Sequence, residues 1–429
     1  MLNQLNSSQS TPSQAAAFIG LDRSDRTLDI CLQTAEGGST RCRIDSAPES
    51  VAAWIGEVRA RFEGRPVALC LEQPAAALLS QLMRHTFISV YAINPVTLSR
   101  FREAFATSRA KCDASDAAYL MELARDHCDK LTLWRPNDAP TRAVCSLVEA
   151  RRKAVDMRTQ LSNRLKAHLK SYFPQALELA GDELHTILAC DFLTKWPCLQ
   201  DVKKSRGQTL YQFYIAHNSR RKDVIAKRLE LIKNAVAVCG EEYSLLSDKL
   251  TTGMIAGQLK ELTAAIARFD VEIEKALESH TDAFIFASLP GAGAVHSARL
   301  LAAFGSERDR FADAAAMQNF SGIAPVIKSS GKIRLVQRRY ACPRFLHQSF
   351  IEYSSQSVMH CGWAKAFYQQ QKQKGKGHFA AVRALAFKWI RILFRCWQDK
   401  RAYDEAKYLA ALKKRNHKLW EEAVALASS

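Results

Sequence analysis

Four acidic residues carry the strongest chemical signal in the 429-residue chain: Asp22, Glu72, Asp113 and Asp116. Asp22 closes the β-type run AAFIGLD (Ala16 to Asp22), and Glu72 closes a second one, PVALCLE (Pro66 to Glu72). Asp113 and Asp116 open a helix in AKCDASDAAYLMEL. At i and i+3 they share one helix face, and the positive end of the helix dipole favours negative charge there. Carboxylates gathered together repel one another unless cations lie between them. Hard divalent ions take oxygen ligands, and a pair of Mg²⁺ (or Mn²⁺) ions can clamp the attacking and leaving oxygens of a phosphodiester. Read singly, the same residues have structural uses: Asp113 as a helix cap, Asp116 as a first-turn dipole partner, and the other two as solvated strand ends.

A hydroxyl group with cations around it lies far downstream. In FSGIAPVIKSSGKIRLVQRRY (Phe320 to Tyr340), Ser329 and Ser330 are expected in a Gly-flanked loop near Lys328, Lys332 and Arg334, with Arg338 and Arg339 just beyond. A serine is a weak nucleophile, so attack on a phosphodiester requires a base or metal and cationic groups to hold the phosphate. Ser-Ser-Gly loops also occur in inert turns. SLPGAGAVHSARLLAAFG (Ser288 to Gly305) reads as a helix-hairpin-helix turn whose Gly291 and Gly293 let backbone amides approach a phosphate, or equally as a tight interhelical corner.

The elements that must position these groups follow from periodicity. From Ala16 to about Asn137, β-rich runs alternate with helical ones, an α/β layer pattern. AAFIGLD, TLDICLQ and TRCRID predict three meandering strands, with Gly37-Gly38 turning between the last two. A helix around Val51 to Phe62, the strand PVALCLE, a helix from Pro74, the strand ISVYAIN and a helix over Val96 to Phe105 come next. This is the order of the ribonuclease H type of fold, shared at its start by the actin-like ATPases. In such a sheet the first and fourth strands are neighbours, so Asp22 and Glu72 meet at one end. The ATPase alternative loses ground because that group carries an Asp-x-Gly phosphate turn where this chain has Asp22-Arg23-Ser24-Asp25.

From Thr141 to about Ala283 apolar residues fall at helical spacing. Leu259, Leu262, Ile266, Phe269 and Ile273 form a heptad seam, and Ile225, Leu229, Ile232 and Val236 repeat it. The expectation is a coiled coil of long antiparallel helices, broken by an irregular insert near 173–208. It would serve self-association as a homodimer or homotetramer, or form an intramolecular spacer. The expected division is thus a disordered tail over 1–15, a catalytic domain over 16–140, a helical region over 141–283, and a mostly helical, basic domain over 284–429. In that last region Val382, Leu385, Ala386, Trp389, Ile390, Leu393, Phe394 and Trp397 predict a core stripe, with Lys388, Arg391 and Arg395 on another face.

Composition limits the partner class. Sixty-one Lys and Arg against 43 Asp and Glu give a net charge of +18, favouring a polyanion, nucleic acid before a membrane surface. Between Gly331 and Trp420 there are 20 Lys plus Arg and 4 Asp plus Glu, so the surplus is local. The 48% hydrophobic content excludes a disordered scaffold. Twelve Cys without a C-x-x-C pair fit neither a disulfide lattice nor a zinc site and suggest a reducing, cytoplasmic setting. No membrane span is expected, because the most apolar C-terminal stretch is interrupted by Arg383, Lys388, Arg391 and Arg395.

At these residues the sequence resembles the DEDD transposases of bacterial insertion sequences, family one-ten, also called bridge-RNA-guided recombinases. FIGLDRSDRTLDICL resembles the first acidic motif, LCLEQP the second, and YAINPVTLSRFREAFATSRAKCDASDAAYL the run into the last two aspartates. RAVCSLVEARRKAVDMRTQLSNRLKAHL resembles the helix that follows, and SLPGAGAVHSARLLAAFG with GIAPVIKSSGK the C-terminal transposase domain. The resemblance implies a domain similar to the Holliday-junction resolvase RuvC, with Asp22, Glu72, Asp113 and Asp116 as metal ligands and Ser330 as a nucleophile forming a covalent phosphoserine. It also implies donor and target DNA as substrates, a structured noncoding guide (bridge) RNA, and active sites composed from two subunits. SSGKIRLVQRRYACPRF is less glycine-rich after the serine than the family loop, which leaves Ser329 beside Ser330 as a candidate. Two other readings share the basic charge: a hydrolytic junction resolvase using water, and a noncatalytic RNA-binding scaffold.

Overall fold

The chain divides into two compact units, residues 1–136 and 137–429. The computed structural model describes residues 15–72, 76–105, 113–131, 133–238, 242–331, 333–415 and 417–427. The tail expected over 1–15 lies outside the described residues except for Ala15, and Lys332 lies outside them too.

Three strands open the first unit: β1 (Ala17–Arg23), β2 (Thr27–Thr34) and β3 (Ser39–Asp45). The helix α1 (Pro48–Arg61), strand β4 (Val67–Glu72), helix α2 (Ala76–Leu82), strand β5 (Ile88–Ile93), and helices α3 (Pro95–Phe105) and α4 (Asp113–Asp126) come after. The sheet order is β3-β2-β1-β4-β5, with the first three strands antiparallel and β4 and β5 parallel to β1. Sequence pattern explains this order. β1 and β4 are nearly continuous apolar runs and are buried on both faces, as central strands of a covered sheet must be. β3 reads STRCRID, and its charged, exposed residues suit an edge that must not pair with another chain.

Each face has its own core. Ile19, Leu21, Ile30, Leu69 and Leu71 pack with Val51, Trp54 and Ile55 of α1 and with Leu78 and Leu82 of α2. On the opposite face Ala68, Cys70, Tyr91 and Ile93 pack with Leu98 of α3 and with Leu120, Leu123 and Ala124 of α4. Gly20 sets how close α4 comes: a Cβ there would lie 1.9 Å from the Ala117 carbonyl oxygen and 2.2 Å from the Met121 nitrogen. Only a residue without a side chain lets the helix backbone rest on β1 at that point.

The second unit begins with α5 (Ala139–Tyr172), capped by the Asp138 carboxylate, which accepts from the Thr141 N–H at 2.8 Å. Five shorter helices come next: α6 (Ala176–Leu179), α7 (Ile187–Lys195), α8 (Leu199–Lys203), α9 (Gly207–Ala216) and α10 (Lys222–Asn234). The chain then returns along α5 as α11 (Glu242–Glu278). Leu259, Ile266 and Ile273 are buried along this pair, with Leu262 and Phe269 half-buried. The insert expected as irregular near 173–208 is instead a helical body running through α10, built on buried Phe173, Phe192, Leu193, Trp196 and Tyr214. Ile225 and Ile232 of α10 belong to that core, and α10 ends before the exposed Val236, so the second heptad run is no part of the long helix pair. Its spacing served burial in a small core rather than a seam.

Helices α12 (Ala283–Ala287), α13 (Gly293–Phe304) and α14 (Ala314–Phe320) lead to a two-stranded antiparallel ribbon, β6 (Val326–Ser330) and β7 (Ile333–Gln337). Helices α15 (Arg344–His360), α16 (Gly362–Gln373), α17 (His378–Gln398), α18 (Glu405–Arg415) and α19 (His417–Ala427) complete the unit. Their core holds Trp363, Trp389, Trp397, Phe304 and Phe350. The aromatic stripe of α17 is therefore core. Lys388, expected on a basic outer face, has its ammonium 4.4 Å from the centre of the Phe367 ring, and burial lowers its pKa.

Candidate functional site

In a strand, residues two apart share a face, so Gly20 and Asp22 both point to the side of the sheet that α4 covers. Parallel pairing sets Gly20 beside Cys70 and Leu21 beside Leu71, where the ladder ends, and Asp22 and Glu72 are the next residue on each strand. The Gly20 contact brings the Ala117–Met121 stretch of α4 against β1 two residues before Asp22. Asp22 and Glu72 thus stand at one end of the two strands, on the face that α4 covers. Asp113 begins α4 one turn before Asp116, and its side chain lies outside what is described.

The electrostatics of this end are specific. Asp116 is fully buried, and Arg102 of α3 holds it in a bidentate pair, Nε donating to Oδ1 at 2.8 Å and Nη2 to Oδ2 at 2.7 Å. Asp29, opposite Asp22 on β2, is buried as well and accepts from Nε of Arg43 at 2.9 Å. Arg41 and Arg43 stand on edge strand β3, across from Cys31 and Asp29 and on their face. Asp29, Ile30, Arg41, Cys42, Arg43 and Ala117 line a shallow pocket of about 210 Å³. Burial pushes the thiol of Cys70, on β4 beside Gly20, far up.

As a metal site, the donor set is right in type: carboxylates only, with a fully buried one that requires a cation. Among the described residues no three His, Cys, Asp or Glu side chains come together closely enough to hold an ion, and the cation on Asp116 is Arg102. Carboxylates are the oxygen donors that a hard divalent ion takes, and both oxygens of Asp116 are held here by Arg102.

The serine lies in the other unit. Ser329 and Ser330, expected in a loop, are the last two residues of β6, and the turn after them starts at Gly331 with φ +55°. Ser330 pairs with Ile333 and Ser329 with Arg334. From Ile327 to Ser330 and from Arg334 to Arg338 every residue is exposed, and Ile327, Leu335 and Val336 are large apolar side chains among them. At the base of the ribbon Arg338 lies beside His347, 3.4 Å between nitrogens, and near Arg383 of α17, whose pKa falls through burial and the like charge of Arg338. Burial first, then Arg338, lowers the pKa of His347. Arg339 donates to Asn319 at 3.0 Å.

The two glycines of the expected hairpin turn have different uses. Gly291, at φ +72°, makes room for the His360 ring, 2.4 Å from where a Cβ would be, and is a packing device. Gly293, at φ +55°, starts α13 with open space beside it.

Sequence reasoning gave no role to Arg102, Asp29 or Gly20. Asp29 and Gly20 carried signals of their own: an acid at an inward position of a β run, and a glycine inside a strand, which marks a close backbone approach. Arg102 carried none, since its contact joins two helices across 14 residues.

Residues 19–174 match a family model described as transposase, of the DEDD IS110 type, and residues 283–369 match one described as transposase of the IS116/IS110/IS902 family. A Streptomyces coelicolor mini-circle protein named as a transposase for IS117 is 25% identical over 92% of this chain and 97% of its own length. The 44.8 kDa protein of insertion element IS116 from Streptomyces clavuligerus is 27% identical over 86% of this chain and 90% of its own. The 42 kDa protein of IS900 from Mycobacterium paratuberculosis is 27% identical over 70% and 75%.

Proposed function

The chain belongs to the IS116/IS110/IS902 family of insertion-sequence transposases, and from that premise we propose that it cuts and rejoins DNA strands through a covalent phosphoserine. The observation that carries this reading is the close approach of α4 to β1 at Gly20, two residues before Asp22, which supports a site formed by Asp22, Glu72 and the acidic start of α4. The strand order, three antiparallel strands followed by two parallel ones, supports a ribonuclease H fold similar to RuvC.

In this reading Asp22, Glu72, Asp113 and Asp116 hold Mg²⁺ or Mn²⁺. When bound, the ion eases ionisation of a hydroxyl and offsets charge on a leaving oxygen. Lys328 and Arg334, exposed on the ribbon, neutralise the phosphate. Ser330 Oγ bonds to phosphorus as the phosphorus–oxygen bond to one sugar breaks, and the proton that the serine gives up to solvent is replaced from solvent on the sugar oxygen, leaving that strand with a hydroxyl. Attack on the phosphoserine by the hydroxyl of another strand restores the serine and joins the DNA. The exposed ribbon supports Ser330 over the buried hydroxyls of the unit, and Ser329 is the alternate nucleophile.

Donor DNA, target DNA and a noncoding guide RNA are the proposed nucleic-acid partners, supported by the local basic surplus. Among the described residues no helix is long and apolar enough to cross a membrane. Self-association is proposed through α11, where Leu246, Leu250 and Met254 are exposed at one-turn spacing. The test is strand exchange by purified protein with donor and target DNA and RNA transcribed from the noncoding flank. Recombinant product with Mg²⁺, lost in D22N and D113N, is expected; product from either variant at the wild-type rate would contradict the reading.

A further inference from the structure

The pair between Arg102 and Asp116 occupies both carboxylate oxygens, at 2.8 and 2.7 Å, on a side chain with no solvent exposure. We infer that Arg102 is a built-in stand-in cation for the metal site: its guanidinium neutralises Asp116 in the metal-free protein and withdraws when a divalent ion is bound, so the two compete for the same oxygens. This rests on the assignment of Asp116 to the metal site made above.

Three features favour exchange over a fixed structural bridge. A carboxylate buried this completely cannot be left without a counter-charge, so some cation must be present before metal arrives. A guanidinium and a divalent ion on the same two oxygens repel each other strongly at that range. The partners are also unequal in their access to water. Asp116 has none, whereas the Arg102 side chain is 15% exposed and has solvent to move into. The helix carrying it need not follow. Leu98 anchors α3 in the core shared with α4, and Phe101 packs edge-on against Tyr119 at 6.0 Å. The change is thus confined to one long side chain. Its consequence is a site whose buried acid stays organised without metal, at the expense of weaker metal binding.

The experiment is a Mn²⁺ titration of the full-length protein without nucleic acid, by calorimetry, with thermal melting alongside. Wild type is expected to bind Mn²⁺ and D22N to lose that binding. R102Q should bind Mn²⁺ about tenfold more tightly, a typical coupling between competing ligands, while melting lower in the absence of metal and gaining more from saturating Mn²⁺. R102K retains a cation with poorer geometry, keeps the test available should R102Q fail to fold, and is expected between the two. A merely structural arginine would give the opposite sign, because its loss would loosen the ligands. Affinity in R102Q and R102K equal to or below that of wild type, with D22N still deficient, overturns the inference alone. Wild type that binds no Mn²⁺, or D22N that binds as wild type does, overturns the metal site and the inference with it.

Discussion

Adjacent serines on a strand point to opposite faces, and this decides what each can touch. Ser329 shares its side of the ribbon with Arg334, and Ser330 shares the other with Lys328. S330A is therefore expected to abolish covalent protein–DNA adducts while DNA and RNA binding, read by gel shift, stay within about twofold; S329A should retain the adduct. At this scale the sequence was informative where a residue acts through its own element. Asp22 and Glu72 were visible as strand ends and Asp116 as a first-turn acid. Arg102, Asp29 and Lys388 were not, because what each does depends on a neighbour that only folding supplies: a helix, a facing strand, the Phe367 ring.

The contact between β1 and α4 has no slack, since a methyl group on Gly20 would fall 1.9 Å from backbone oxygen. G20A should destabilise the protein by about 2 kcal/mol or more in chemical denaturation, by overpacking, and should weaken Mn²⁺ binding through displacement of α4. In the second unit Glu352 of α15 accepts from Arg152 of α5 at 3.0 Å and from Arg299 of α13, tying three helices together. Burial alone would raise the Glu352 pKa, but the hydrogen bond and charge of Arg299, then Arg152, outweigh it and the net shift is downward. A folded-state pKa below the unfolded one gives stability that is present above the unfolded value and is lost as pH falls through the folded one. E352Q should accordingly lower stability near neutral pH by about 2 kcal/mol and flatten the loss of stability below roughly pH 4.5 in urea melts at stepped pH. An acid limb as steep as that of wild type would contradict it. Element order in the first unit was legible because strands and helices differ in period. The helical insert was not: a heptad-like run such as Ile225, Leu229 and Ile232 looks the same in a coiled coil and in a small helical core.

For the molecule as a whole, charge sets the character of binding. With 20 Lys and Arg against 4 Asp and Glu between Gly331 and Trp420, affinity for DNA should fall by about 10³ between 50 and 200 mM salt, as for a protein neutralising about six phosphates. R334Q should lower the slope of log affinity against log salt by about one, read by fluorescence anisotropy. The charge surplus was legible from composition alone, whereas the exposure of Arg334 on the ribbon required the fold. The account turns on which atom attacks phosphorus. The most direct measurement is mass spectrometry of the protein recovered under denaturing conditions after reaction with a suicide DNA substrate and Mg²⁺. A peptide carrying a nucleotide phosphate on Ser330 is expected; cleaved DNA with an unmodified serine, the signature of attack by water, would overturn the serine mechanism.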